Sequence, residues 1–288
     1  MTSIKLAFFD VDGTLIGSDG KYSERTKKSI ARLHDNGIKT AIASGRPPFA
    51  AQFLFDELGI SDTGLFYAGA AIYDPKKQSY LKSNFLNRLN KGLGDNFTST
   101  FHSEQLSVDL LQLISVIKEK QLYSEVYTED SFYTKCKQSE IYKAHSKVLR
   151  SEAGEQTLDS IVESKMVFKL LIGTDVNHCS LALIESDFPN YDFAYAKMAS
   201  HPNWMFASIT STLSSRKKGF DYLCEVHDVT SDEVIAFGDA QSDQVFIENA
   251  GVGVAMGDAP KEVKLSANIV TETADENGVA KIIEQIFG

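Results

Sequence analysis

Two short apolar runs stop abruptly in aspartates at opposite ends of this 288-residue chain. Near the start, Ile4 to Asp10 leads into Asp10-Val11-Asp12-Gly13-Thr14-Leu15. Near the end, Val234-Ile235-Ala236-Phe237 leads into Gly238-Asp239-Ala240-Gln241-Ser242-Asp243. Each reads as a buried strand whose carboxyl end carries acid, and the segments around them alternate strand and helix, the pattern of a parallel sheet. After the first strand, the spacing predicts a helix over Thr26 to His34, closed near Gly37, and a strand over Lys39 to Ala43. A helix entered at Pro47 and Pro48 then runs through Phe53, Phe55 and Leu58 to Gly59, before a strand at Leu65 to Tyr67 and a hairpin over Ile72 to Leu81. From Trp204 the alternation resumes: strand Met205 to Ile209, helix Lys217 to Val226, strand Val234 to Phe237, helix Gln241 to Glu248, strand Val252 to Ala255, helix Pro260 to Ala267. The middle differs. A helix at Leu106 to Lys120, with Leu106, Leu110, Leu113, Ile114 and Ile117 on one face, stands beside short strands at Tyr123 to Tyr127 and Ser131 to Tyr133. The expectation is an α/β chain with a Rossmann-like core of residues 1–83 and 198–288, interrupted by a mixed α/β domain of residues 84–197.

In an open parallel sheet, ligands bind outside the carboxyl ends of the strands. Asp10, Asp12, Asp239 and Asp243 are therefore expected to meet on one edge. Four carboxylates gathered there repel one another unless a cation holds them, and an oxygen-only donor set suits Mg²⁺. The plainer alternative is a set of separate turn and capping aspartates. An EF-hand loop starting at Asp10 is excluded, because its sixth and twelfth positions hold Leu15 and Lys21 rather than Gly and Glu.

A third strand ends in Ser44-Gly45-Arg46 before a helix whose first amides favour anions, so Ser44 is placed to meet a phosphate oxygen; taken alone, Ser44 also reads as an N-cap and Arg46 as a surface residue. Arg216-Lys217-Lys218-Gly219 opens another helix, where the dipole disfavours cations, which points to a functional lysine without saying which one faces inward. The glycines of Gly251-Val252-Gly253-Val254-Ala255-Met256-Gly257 have the wrong spacing for a dinucleotide fingerprint and lead into a strand.

Composition narrows the partners. A formal charge of −10 disfavours nucleic acid. Cys136, Cys179 and Cys224 form no metal or disulfide spacing, and none of the six histidines has a ligand or triad spacing; His201, before a proline, is expected in a loop. No charged, apolar and small-residue succession marks Met1-Thr2-Ser3 and the strand after it as a signal peptide, and no apolar run approaches the roughly 18 residues of a membrane span. A cytoplasmic protein with no membrane partner is expected, of unspecified oligomeric state.

Taken in order, Asp10-Val11-Asp12-Gly13-Thr14-Leu15, Ser44-Gly45-Arg46, Lys218-Gly219 and Gly238-Asp239 through Asp243 resemble the four motifs of the haloacid dehalogenase superfamily. The tail Ala250 to Gly257, with Val263-Lys264 and Gly278-Val279-Ala280, is similar to the Cof-like sugar-phosphatase subfamily. Only about thirty residues separate Asp12 from Ser44, so the inserted domain falls between Ser44 and Lys218, the place of that group's α/β (type C2) cap. The resemblance implies a Mg²⁺-dependent phosphatase for small phosphorylated metabolites: sugar phosphates, nucleotides or phosphorylated cofactors. Asp10 would be the nucleophile that forms an aspartyl-phosphate, and Asp12 the general acid and base. The metal would lie on the Asp10 carboxylate, the Asp12 carbonyl and Asp239, with Asp243 as ligand or support. Ser44 and Lys218 would hold phosphate oxygens, with Gly13, Thr14, Gly45 and Arg46 completing the phosphate and substrate surface.

Three positions depart from the family pattern, which has Asn at Ser242, Asn at Asp258 and Asn-Gly-Ala at Ala68-Gly69-Ala70. They motivate the alternative of a non-catalytic metabolite-binding or regulatory protein that retains the fold. A 2-haloacid dehalogenase would not need Asp12 or the metal aspartates, and a phosphonatase would want a cap lysine that nothing here singles out. Tyr127, Phe132 and Tyr133 read equally as core or as pocket.

Overall fold

The structure is a computed structural model that describes residues 3–87, 99–198 and 201–288, so Met1 and Thr2 lie outside it. The chain divides into two compact units, Met1–Leu81 with Ser215–Gly288, and Lys82–Ser214.

The first unit is built on β1 (Leu6–Phe9), α1 (Glu24–Asp35), β2 (Lys39–Ala43), α2 (Gln52–Leu58), β3 (Asp62–Phe66), β4 (Ala71–Asp74) and β5 (Ser79–Ser83). The inserted unit supplies α3 (Ser99–Glu119), β6 (Tyr123–Tyr127), β7 (Phe132–Tyr133), α4 (Glu140–Leu149), α5 (Leu158–Ser164), β8 (Lys169–Asp175), α6 (Leu181–Asp187), β9 (Tyr191–Met198) and β10 (His201–Ser211). The chain then returns to the first unit through α7 (Arg216–His227), β11 (Val234–Gly238), α8 (Gln244–Asn249), β12 (Val252–Ala255), α9 (Lys261–Ser266), β13 (Ile269–Val270) and α10 (Gly278–Phe287).

The first sheet has the order β13-β12-β11-β1-β2-β3-β4-β5, parallel from β13 through β3, with β4 antiparallel to β3. β1 is the centre, fully buried, because its side chains serve both faces by strand alternation. Leu6 and Phe8 join Phe220 and Leu223 of α7 and Phe246 of α8 in one core; Phe9 stacks on Phe237 of β11 with ring centroids 5.1 Å apart. Phe9 lies opposite Phe237 in the register, so β1 and β11 end together. That shared end sets the site.

The inserted unit is an antiparallel sheet of order β7-β6-β8-β10-β9. One face packs on α3, α5 and α6 through Leu110, Leu113, Ile114, Ile161, Ile184, Leu170, Ile172, Ala207 and Ile209. Tyr127, Phe132 and Tyr133 are buried, which makes them core. Beside them lies a buried charge: Glu125 of β6 accepts hydrogen bonds from the Tyr123 and Tyr127 hydroxyls and sits 2.9 Å from His145 Nδ1.

The domain boundary expected at residue 198 moves to Ser215. β10 pairs with β8 and β9, so His201–Ser211 and the turn to Ser214 belong to the inserted unit. A strand followed by a helix reads as βα alternation whichever sheet the strand joins, and the local pattern carries no sign of its partners. His201 begins β10 rather than lying in a loop, since the extended backbone imposed before a proline also suits a strand.

Candidate active site

Asp10 follows β1 immediately, and its amide donates to the Phe237 carbonyl at 3.0 Å, which extends the β1–β11 ladder by one bond and fixes where the carboxylate leaves the sheet. Gly13 adopts φ +84°, a conformation that glycine takes without penalty, and a methyl there would overlap the Asp239 carboxylate. Thr14 is buried and its hydroxyl donates to Asp239 Oδ1 at 3.0 Å. Asp243 enters from the turn after β11: its Oδ2 accepts from the amides of Asp239 (3.2 Å) and Ala240 (2.9 Å), and its Oδ1 from the Ser242 hydroxyl (3.2 Å). Gly238 has no side chain for the same reason as Gly13, because a methyl there would strike Asp243.

Carboxylate oxygens of Asp10, Asp239 and Asp243 thus lie within 4.8 Å of one another. Asp10 and Asp243 are buried. The electrostatic consequence is uniform. Burial, then Asp243, Asp239 and Asp12, push Asp10 well above the usual carboxylate range. Burial followed by Asp243 pushes Asp239 up to about 7. Asp243 is raised by burial, against the opposing pull of Arg216, the Ala240 amide and the Ser242 hydroxyl. Three oxygen donors that resist ionising together are what a hard divalent cation relieves, so the trio fits the expected metal.

Asp12 goes elsewhere. Its carboxylate lies outside the trio and takes two hydrogen bonds from Arg46, Nε at 2.7 Å and Nη2 at 2.6 Å. Arg46 is only 5 % exposed and gives its third donor, Nη1, to the Ala50 carbonyl at 3.0 Å, so it is no surface residue. Ser44, at 2 % exposure, closes β2; it caps no helix, because Pro48–Ala50 form a 3₁₀ turn and α2 starts only at Gln52. A methyl at neighbouring Gly45 would meet nothing within 4 Å. Lys218 is exposed and makes no ion pair among the described residues, whereas Lys217 pairs with Asp221.

The family resemblance assigned Gly13 and Thr14 to the phosphate and substrate surface; in the structure both also shape the seat of Asp239. It gave Arg216 no role, yet this residue of α7 places Nη1 3.5 Å from Asp243 Oδ1. The signal for it was present, a cation in the first turn of a helix, but three consecutive cations offered no means of choosing among them. Ala68, one of the departures, follows β3 in the left-handed region at φ 58°, ψ 28°, and its amide donates to the Ser44 carbonyl at 3.3 Å. An asparagine tolerates that conformation better than alanine does, which gives the family pattern a backbone reason.

Known proteins resemble this chain along nearly its whole length. Residues 7–283 match the model of a haloacid dehalogenase-like hydrolase family. Phosphatase YwpJ of Bacillus subtilis is 26% identical over 306 residues, covering 99% of this chain and 100% of that protein. The 5-amino-6-(5-phospho-D-ribitylamino)uracil phosphatase YitU of the same organism is 25% identical, covering 98% of this chain and 97% of its own. A haloacid dehalogenase-like hydrolase from Bacteroides thetaiotaomicron superposes with a TM-score of 0.81 at 25% identity, covering 99% and 100% of the two chains. With a matching fold, matching length and strand-end aspartates in place, the chain belongs to the haloacid dehalogenase-like hydrolases, as a phosphatase of the Cof-like type.

Proposed function

We propose that the protein is a Mg²⁺-dependent phosphatase that hydrolyses phosphomonoesters of small metabolites through an aspartyl-phosphate on Asp10. The observation that carries this is the convergence of Asp10, Asp239 and Asp243 at the ends of two adjacent parallel strands. Asp10, Asp239 and the Asp12 carbonyl would hold the cation, with Asp243 as ligand or support; when bound, it neutralises carboxylate charge and polarises the phosphoryl group.

An Asp10 carboxylate oxygen attacks phosphorus in line, and the bond to the leaving oxygen breaks. Asp12 gives that oxygen a proton and later takes one from water. The water then attacks the phosphorus of the aspartyl-phosphate, releasing inorganic phosphate and restoring Asp10. Arg46 places one hydrogen bond on each Asp12 oxygen, and the remaining lone pair of either oxygen is where this half-exposed carboxylate takes up from solvent the proton that it gives. Buried Ser44 and exposed Lys218 are the groups assigned to the phosphate oxygens, where a lysine offsets carboxylate–phosphate repulsion.

The test is phosphate release from a panel of sugar phosphates, nucleotides and phosphorylated cofactors, including the ribitylaminouracil phosphate for which YitU is named. Turnover should need Mg²⁺, stop with chelator and vanish in Asp10→Asn, with the native enzyme labelled covalently at Asp10 in rapid-quench samples. Full activity of Asp10→Asn, or no turnover across the panel, refutes the reading.

A further inference from the structure

We propose that Arg216 is a built-in counter-cation of the carboxylate trio, which lowers its affinity for the divalent metal and keeps the metal-free site folded. The inference rests on the reading of the trio as a metal centre and adds a residue to it.

Arg216 starts α7, held by the Ser215 cap, whose side chain accepts from the Lys218 amide. Its side chain is 14% exposed, and Nη1 lies 3.5 Å from Asp243 Oδ1. That nitrogen is buried and has no hydrogen-bond partner, so the guanidinium meets the carboxylate through charge rather than a formed bond. Asp243 does not need Arg216 for its position, because two backbone amides and the Ser242 hydroxyl already hold it. Position and charge are therefore supplied by different groups.

The charge count gives the role. Asp12 and Arg46 form a neutral pair beside the trio. With the metal bound the three carboxylates are ionised, and against one guanidinium they leave two negative charges, which a single divalent cation balances. Without Arg216 the metal-bound carboxylates would carry three, so the cation would bind more tightly, while in the metal-free protein whichever carboxylates stay ionised would lose this counter-charge.

Isothermal titration of chelator-stripped protein with MgCl₂ at pH 8, with melting curves in chelator and in saturating Mg²⁺, tests this on the native protein, Arg216→Met, Arg216→Gln and Arg216→Lys. Both charge-removing variants should bind Mg²⁺ about tenfold more tightly or better. Their melting temperatures should fall in chelator and largely recover with Mg²⁺, and Arg216→Lys should stay near the native affinity. Unchanged or weaker Mg²⁺ binding in Arg216→Gln and Arg216→Met overturns the inference, as does an equal loss of melting temperature with and without metal, which marks a packing role alone. If Arg216→Met does not fold, the Gln variant decides by the same criterion. A native protein that binds no divalent cation refutes the metal centre itself, and that outcome is distinct from the failure of Arg216.

Discussion

Replacing Asp239 with Asn should stabilise the metal-free protein while removing its activity. Asp239 is pushed up to about 7, chiefly by burial and then by Asp243. In the unfolded chain it titrates near an ordinary aspartate's value of about 3.9. The native state therefore holds this proton more tightly than the unfolded state, so stability falls as pH rises from about 4 to about 7 and stays low above. The full difference corresponds to about 4 kcal/mol. Sharing of protons among Asp10, Asp239 and Asp243 brings the expected gain for the single substitution to about 2–4 kcal/mol. Asparagine keeps an oxygen for the Thr14 hydroxyl and carries no charge. Urea unfolding in chelator should show the variant more stable than the native protein at pH 7.5, with the gap closing toward pH 4.5. Added Mg²⁺ should raise native stability and leave the variant nearly unchanged. A variant no more stable than the native protein at pH 7.5 in chelator, or a gap equally large at pH 4.5, would refute the claim that burial and the neighbouring carboxylates penalise the ionised form of Asp239.

Three further outcomes are open to measurement. Gly13→Ala combines a left-handed backbone with a methyl that overlaps the Asp239 carboxylate, so chemical denaturation should show a loss of about 2–4 kcal/mol and calorimetry a weaker metal site. Ala68→Gly removes the left-handed penalty at φ 58° and should gain about 1 kcal/mol, read as a rise of a few degrees in melting temperature. Glu125→Gln removes the buried charge that faces His145 and leaves one oxygen where two accepted, and should cost the inserted unit about 2–4 kcal/mol; Trp204, the chain's single tryptophan, lies in that unit and reports its unfolding by fluorescence.

How much of this was legible in the sequence follows the range of the forces involved. β2, β6 and β12 fall on the residues their apolar patterns predict, because local composition alone decides them. The strand-end aspartates were legible for the same reason: a parallel sheet delivers the ends of β1 and β11 to one edge whatever happens between them. β10 was assigned to the wrong unit because pairing is non-local. The Glu125 cluster was half visible, since period-two alternation puts Tyr123, Glu125 and Tyr127 on one face, but His145 comes from α4, and nothing in its sequence marks that approach.

The same distinction applies within the site. Each aspartate could be found from its own strand, yet its partner could not: Thr14 for Asp239, Arg46 for Asp12 and Arg216 for Asp243 are set by tertiary contact. Those partners divide the carboxylates by task. Asp12 meets a complete guanidinium, hydrogen-bonded through both oxygens, and is neutralised within the protein. The trio meets one guanidinium at a distance and, once all three acids ionise, carries two charges that no other described ion pair cancels. A fold that merely needed stability would have replaced one of these buried acids or paired all of them, since unpaired buried charge costs several kcal/mol. A divalent cation from solution would supply the missing positive charge in place of the protons these acids otherwise hold, and the same deficit that weakens the empty site would give the arriving cation its affinity.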